Sequence, residues 1–442
     1  MKGKVEFCFY LSIGLGMAMA TSSYTMVSGL FATAGALWIL AGVFLSGLFC
    51  MIIALSIGEL AGMFPSAPGV RTYFKVAFGD WASLILVYLY LIFVVLIAGL
   101  ETFVFSQVVL AVFPASIPVL TVLVLIGFVL LINLIGFELP RSVQIGTVIL
   151  AVALIVVSGF GSLFHAKTSL SLSEHPSGAW RTALLVPALA GTSIFLYTGF
   201  EWVTPLGLRP KAYERKIPFS MPAIVLVLCV VYSLFILGAA SQLPPSSIAA
   251  TPTPQVSYFS ALYGAIGPYL ALSLSVLSLF STFNAGFLGG SQLIFMLAQE
   301  GKVPAWCGAM SLRTGCPIGA IFLLAAFAAL AGITVVTFRV EILAGLVGAS
   351  IMCFVYAAFM LAVIRLRKRK PSAARSFRTP VFAVIQWAIT GALMIMGAFT
   401  LFSDTNTGWR CVIGLILSVV LAWMLTVCSG SGPARSKQSV AS

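Results

Sequence analysis

The chain has 442 residues, 61% of them hydrophobic and 8% charged, with a net charge of +13. Soluble domains carry about 25% charged residues, so the composition excludes an ordinary soluble globular protein and makes counting soluble domains by length meaningless. Eight cysteines (8, 50, 229, 307, 316, 353, 411 and 428) stand singly, without a CxxC or a Cys/His cluster. They read as small apolar residues, against a disulfide framework, a metal site or a cofactor.

Apolar runs of the length needed to span a bilayer, roughly 20 residues, recur along the whole chain. Twelve spans are predicted: 7–31, 36–59, 82–112, 117–137, 142–164, 182–207, 217–240, 267–298, 316–337, 342–364, 381–402 and 410–428. The first follows Lys2 and Lys4 as a signal peptide would. It lacks a small-residue cleavage site and runs on into further spans, so it is retained as a transmembrane helix. Residues 241–266, opening QLPPSSIAATPTP, read as an external loop with a short surface helix. The tail 429–442, SGSGPARSKQSVAS, is small and polar and is expected to be disordered. Residues 1–428 are therefore expected to form a single transmembrane domain.

Orientation follows from the basic residues. With the N-terminus inside, the outer segments hold only Lys167, Arg181, Arg339 and Arg410 of 24 Lys and Arg. Both termini are expected in the cytoplasm. The same asymmetry explains the net charge by topology and by contact with lipid, so no nucleic-acid partner is expected. The basic run Arg365–Lys370 reads as an anchor to anionic lipid. His165 and His175 fall in an external loop and read as solvated.

Polar groups inside spans carry the functional information, because an ionisable group at mid-membrane costs roughly 2.5–3.5 kcal/mol or more. The first span holds Ala20-Thr21-Ser22-Ser23-Tyr24-Thr25 in the middle of an apolar stretch. One reading is hydroxyls bonded back to their own helix; the other is a break that exposes backbone groups to a cavity. The third span carries Glu101, within VLIAGLETFVFSQ. The sixth carries Tyr197, Thr198, Gly199 and Glu201, then turns basic with Arg209, Lys211, Arg215 and Lys216. The first and sixth spans hold corresponding places if five helices repeat with inverted topology, and discontinuous helices at such places point to a transporter's central site.

Four stretches, in order, resemble the amino acid–polyamine–organocation superfamily of permeases over nearly the whole length. ALSIGELAGMFPSAPGVRTYFKVAFGD is similar to that family's second span and inner loop, and TGFEWVTPLGLRPKAYERKIP to its Gly-Phe-Glu sixth span and basic connector. FNAGFLGGSQLIFMLAQEGKVP resembles its eighth-span ending, with Gln292 where an Arg is usual, and RLRKRKPSAARSFRTP its basic linker after the tenth span.

The resemblance implies an all-α membrane protein of the leucine-transporter-like fold, with 12 transmembrane helices. It divides the domain into repeat one at about 7–164, repeat two at about 182–364 and two peripheral helices at about 381–428. It implies alternating access, with an amino acid held between the broken first and sixth helices. A carboxylate would sit at a half-helix N-terminus, where free N–H groups and the dipole favour an anion. Ala20, Ser22, Ser23, Tyr24, Tyr197, Thr198 and Gly199 are the expected binding residues at the two breaks, with Phe195 as an aromatic lid. The family's small Gly-rich break aligns here with Ser22-Ser23-Tyr24. The Tyr ring is expected to crowd the carboxylate pocket, which favours a decarboxylated amine or an unusual derivative.

Glu101 reads either as a carboxylate that meets a cationic substrate or carries a coupled proton, or as a protonated or water-paired Glu near the outer half of the bundle. Glu201 reads as a cap, a coupling group or a substrate contact, with Trp202 beside it in coupling or gating. The fifth span has no Lys for proton linkage, and Ser281 and Thr282 are weak sodium candidates. Glu59, Arg71, Lys75 and Asp80 offer ion pairs that would lock the inner side, or ordinary interfacial charges. No nucleophile/base or metal constellation suggests an enzyme. The sequence thus points to a secondary transporter of an amino acid or amino-acid-derived amine, proton-coupled or exchanging, in the cell membrane. A polyamine or cationic-amine antiporter of the same fold is the alternative.

Overall fold

The computed structural model describes residues 2–64, 69–136, 140–168, 179–206, 216–403 and 408–430. Among them the chain is helical throughout, without a strand. Its helices are α1 (Lys2–Ala18), α2 (Ser22–Phe31), α3 (Ala36–Met63), α4 (Val70–Phe78), α5 (Asp80–Val112), α6 (Pro118–Leu134), α7 (Arg141–Phe164) and α8 (Ala179–Ile194). After the 3-10 turns Phe195–Tyr197 and Phe200–Leu206 come α9 (Lys216–Gln242), α10 (Pro245–Ala249), α11 (Pro254–Tyr263), α12 (Gly267–Gln299), α13 (Ile318–Phe338), α14 (Glu341–Arg369), α15 (Ala383–Thr400) and α16 (Gly408–Gly430).

Nine helical stretches among the described residues are long and apolar enough to cross a membrane, and Glu6–Ala18 of α1 and the whole of α6 are shorter apolar helices. The helices start where the sequence supplies starts. Proline opens α6, α10 and α11, where its missing N–H has no intrahelical role. Gly79, at φ +91°, turns the chain between α4 and α5.

Burial sorts the helices into core and rim. In its most apolar window α14 is 89% buried, whereas α16 is 22% buried. The rim exposes apolar side chains such as Leu120, Val124 and Leu131 on α6, and Leu417 and Trp423 on α16. In water such a surface would aggregate, but against lipid tails it is matched.

Small residues bring the core helices together, as packing between membrane helices requires. A Cβ on Gly42 of α3 would lie 3.1 Å from the Leu189 carbonyl carbon of α8, and one on Gly58 would lie 3.0 Å from Pro218 of α9. The Ser46 hydroxyl adds a bond to the Ala190 carbonyl. α3 and α9 are thereby packed together behind the two interruptions described next.

Candidate functional site

The first membrane helix is interrupted. α1 stops at Ala18, and α2 starts at Ser22 after three non-helical residues, Met19–Thr21. Thr21 and Ser22 thus stand at a new helix N-terminus in the bundle interior, with donors that no carbonyl of their own helix can reach. Glu101 of α5 accepts them. Its Oε1 receives the Thr21 N–H at 2.8 Å and the Thr21 hydroxyl at 2.6 Å, and its Oε2 receives the Ser22 N–H at 2.8 Å. The opposite end, the carbonyl of Ala18, accepts the Tyr232 hydroxyl of α9 at 2.8 Å and the Ser23 hydroxyl at 3.3 Å.

The second interruption follows α8. One 3-10 turn ends at Tyr197, Thr198 is extended, and Gly199 sits at φ +126° before the next turn begins at Phe200. Only glycine takes that conformation freely. The neighbouring backbone also leaves no room there, since a Cβ on Gly199 would lie 3.0 Å from the Ala18 nitrogen. The two breaks therefore touch. Glu201 satisfies the second one: its Oε2 accepts the Gly199 N–H at 3.1 Å and the Tyr356 hydroxyl of α14 at 3.0 Å, while Oε1 accepts the Tyr90 hydroxyl of α5 at 3.1 Å. Both acids are buried, and neither takes part in an ion pair among the described residues.

Beside the first break lies a cavity of about 30 Å³, lined by Met17, Phe93, Val94, Ile97, Ala98, Glu101, Thr282, Phe283, Gly286, Phe287 and Leu324. That is room for a water or two, so the walls are drawn in. Glu101 is the charged group among these apolar and aromatic walls.

The sequence-predicted residues scatter around this centre. Of them, Glu101 and Thr282 line the cavity. Ala20 lies in the break, its carbonyl accepting the Ser23 N–H at 3.0 Å. Ser22 and Ser23 belong to the first turn of α2, and the Ser22 hydroxyl has no partner among the described residues. Tyr24 is helical too, and its ring packs against Phe235 at 4.8 Å and Tyr232 at 6.2 Å.

Phe195 stands edge-on to the cavity residue Phe93 at 6.5 Å. The Tyr197 hydroxyl donates to the Val43 carbonyl at 2.8 Å, tying the break to α3, and the Thr198 hydroxyl bonds back to Ile194 at 3.1 Å. Trp202 stacks on Tyr90 at 5.9 Å and presses on α12, where a Cβ at Gly289 would meet its ring. Thr282 donates to the Gly16 carbonyl at 2.9 Å. Ser281 accepts the Gln144 side-chain amide, which also reaches the Ser12 carbonyl at 3.3 Å.

The interfacial charges form two clusters. Arg71, only 1% exposed, bonds Asp80 at 2.5 Å, Glu300 at 2.6 Å and the Ser83 hydroxyl, with Lys75 and Lys302 alongside. Glu59 pairs with Arg367 at 2.6 Å and Arg375 at 3.2 Å and accepts the Thr379 N–H at 2.9 Å. The basic residues Arg209, Lys211 and Arg215, His175, most of the Pro65–Gly69 loop and the tail from 431 onward lie outside the described residues.

Sequence reasoning missed the donors Tyr90, Tyr356, Tyr232 and Gln144 and the apolar walls Phe93, Phe283 and Phe287. Apolar and aromatic residues inside spans look alike whether they pack or line a site. The FNAGFLGG stretch, which carries part of the family resemblance, supplies one wall through Phe283, Gly286 and Phe287.

A multi-pass bundle with two discontinuous helices that touch, one of them beside a small cavity, defines a class, that of membrane transporters with irregular backbone at the site. The amino acid permease family model matches residues 10–429. The chain is 26% identical to L-asparagine permease 1 of Mycobacterium bovis over 432 residues, covering 92% of this chain and 86% of the relative. It is 25% identical to the serine/threonine exchanger SteT of Bacillus subtilis, covering 94% and 95% of the two chains. It shares its fold with a manganese transporter of Eremococcus coleocola, at a TM-score of 0.58 and 10% identity over 96% of this chain and 94% of that one. The chain belongs to the amino acid permease family.

Proposed function

We propose that the protein is a secondary active transporter that moves an amino acid or an amino-acid-derived amine across the cell membrane by alternating access, proton-coupled or exchanging. In this reading twelve spans cross the membrane, with both termini in the cytoplasm. Residues 7–164 and 182–364 form inverted repeats, and the helices after 381 are peripheral. Ala20, Ser22, Ser23, Tyr24, Glu101, Phe195, Tyr197, Thr198 and Gly199 surround the substrate path, and Glu201 and Trp202 couple the sixth-span break to α5 and α14.

The observation that carries the reading is the contact of the two breaks at Ala18 and Gly199, each with a buried carboxylate at its new helix start. Unwound helix inside a bilayer is tolerated only where it serves a cavity or a ligand. Family membership supports the same reading.

Reconstitution tests it. Proteoliposomes preloaded with unlabelled amino acids or amines are expected to take up labelled compound saturably, driven by exchange or by an inward proton gradient. Uptake equal to that of empty liposomes under every gradient would remove the proposal.

A further inference from the structure

A second cavity, of about 350 Å³, lies between α5, α13, α14 and α16. It is far larger than the one at the first break and falls within the roughly 300–1,000 Å³ of ordinary ligand sites. We infer that it holds one acyl chain of an anionic phospholipid, whose headgroup is bound by Arg339 and Arg410.

The walls select hydrocarbon. Val95 and Leu96 of α5, Phe327 and Leu330 of α13 and Leu343 and Val347 of α14 are apolar, and none of the lining residues is charged. The two lining hydroxyls are turned back onto their own helices, Thr334 to the Leu330 carbonyl at 2.8 Å and Ser418 to the Gly414 carbonyl at 2.8 Å. Water needs several polar partners to settle in a cavity, and this lining does not supply them. Phe327 is 48% and Leu330 61% exposed, so the α13 wall is shared with the surrounding lipid. A void beside such a wall forfeits dispersion contacts that an acyl chain restores.

The arginines fix the headgroup. Arg339 directly precedes the lining residue Val340 and ends α13 at φ +52°. Arg410, Gly414 and Ser418 fall at a spacing of four along α16, so they share one face, and the last two line the cavity. Both arginines are exposed, and neither takes part in an ion pair among the described residues. Arg339 gives one N–H to Gln107 at 3.1 Å and lies over Phe103, and Arg410 lies over Trp409 at 5.3 Å. A guanidinium so placed keeps further donors for a phosphate. Glu341 is half-buried in the first turn of α14, where the helix dipole accommodates an acid. The two arginines stand at the bundle end where α14 and α16 begin, which the proposed topology places outside.

The cavity also backs onto the candidate site. α5 turns Val94, Ile97 and Glu101 to the break cavity and Val95 and Leu96 to this one, while α13 gives Leu324 to the first and Phe327 to the second. A chain seated here lies against the back of the wall that a substrate meets.

The test uses the full-length protein in detergent, with phosphatidylglycerol and phosphatidylcholine of identical acyl chains as probes. Phosphatidylglycerol is expected to raise the melting temperature at roughly tenfold lower concentration, because basic residues near a headgroup favour an anion. Phosphatidylglycerol with a diazirine in one acyl chain is expected to cross-link to residues 327–335 and 414–418. Thr334→Trp, which fills the cavity, is expected to remove that cross-linking, whereas lipid lying unspecifically around the bundle would keep it. Arg339→Asn, a residue that tolerates φ +52°, combined with Arg410→Gln is expected to keep the cross-links and erase the preference between the two lipids. Equal potency of the two lipids on the wild type would overturn the inference, as would cross-links that avoid both segments. Cross-links missing from 414–418 in a protein that runs as a dimer would assign the cavity to a second copy and overturn it too. The wild-type results decide the matter even where a variant does not fold. Uptake into proteoliposomes tests the transport reading separately.

Discussion

Glu101 and Glu201 solve the same problem in the same way: each acid, costly in a membrane interior, is placed where a broken helix leaves donors that also must be satisfied. The acid and the break stabilise each other, and neither would be tolerated alone. Removing one donor shows how closely the set is matched. Tyr356→Phe keeps the ring that stacks on Phe200 at 5.6 Å but deletes the hydroxyl that meets Glu201 at 3.0 Å. It is expected to lower stability by about 1–3 kcal/mol, the cost of an under-satisfied buried group. Transport should slow about tenfold while membrane insertion is unchanged, as read by melting temperature in detergent and initial uptake rate.

The two acids were legible in the sequence because ionisable residues inside apolar runs are conspicuous. Their partners were not. Thr21 announced itself only as one hydroxyl in a polar cluster, and Tyr90 and Tyr356 come from distant helices that nothing local connects to Glu201.

At the level of single elements, the interruptions do different jobs. In the first span the helix restarts at Ser22, so the polar cluster seen in the sequence divides into a true break at Met19–Thr21 and an ordinary first turn. This is why the ring of Tyr24, expected in the pocket, packs on α9 among aromatics: three residues into a helix, direction is set by helical geometry. Composition locates such a break to within a turn; the hydrogen bonds fix the residue.

In the sixth span the break depends on Gly199. Gly199→Ala adds a Cβ at φ +126° against Ala18 and Met17, a strain of about 1–3 kcal/mol. It is expected to cut uptake at least tenfold. Gly127→Ala in α6, where nothing lies within 4 Å of the added carbon, is expected to match wild type. Equal uptake by both variants would mean the close approach of the two breaks has no part in transport.

Across the whole molecule, two charge clusters fasten helix ends and loops to one another. Glu59, near the C-terminal end of α3, holds the segment after α14 through Arg367, Arg375 and the Thr379 N–H, and the Ser376 hydroxyl adds a bond to the Gly62 carbonyl at 3.0 Å. The basic linker 365–380, whose first part Arg365–Lys370 reads from sequence as a lipid anchor, is thus a strap across a core helix. Its charge pattern was visible; its docking was not, because Glu59 lies some three hundred residues earlier in the chain.

Glu59→Ala leaves two arginines facing a vacated, buried carboxylate position. It is expected to cost about 3–5 kcal/mol. Lys75→Ala, in the half-exposed part of the other cluster, is expected to cost about 0–1 kcal/mol. Detergent melting curves of the two variants check the contrast.

The central claim is that the cavity beside the first break opens to each side of the membrane in turn. With the eight native cysteines replaced by alanine, Ala98→Cys places a thiol on the cavity wall. The measurement is its labelling by an impermeant thiol reagent in vesicles of defined sidedness, with leucine and with 3-methylbutylamine in turn. Alternating access predicts labelling from both faces, slowed by at least one of the two compounds. Labelling from one face only, unchanged by either compound, would contradict it.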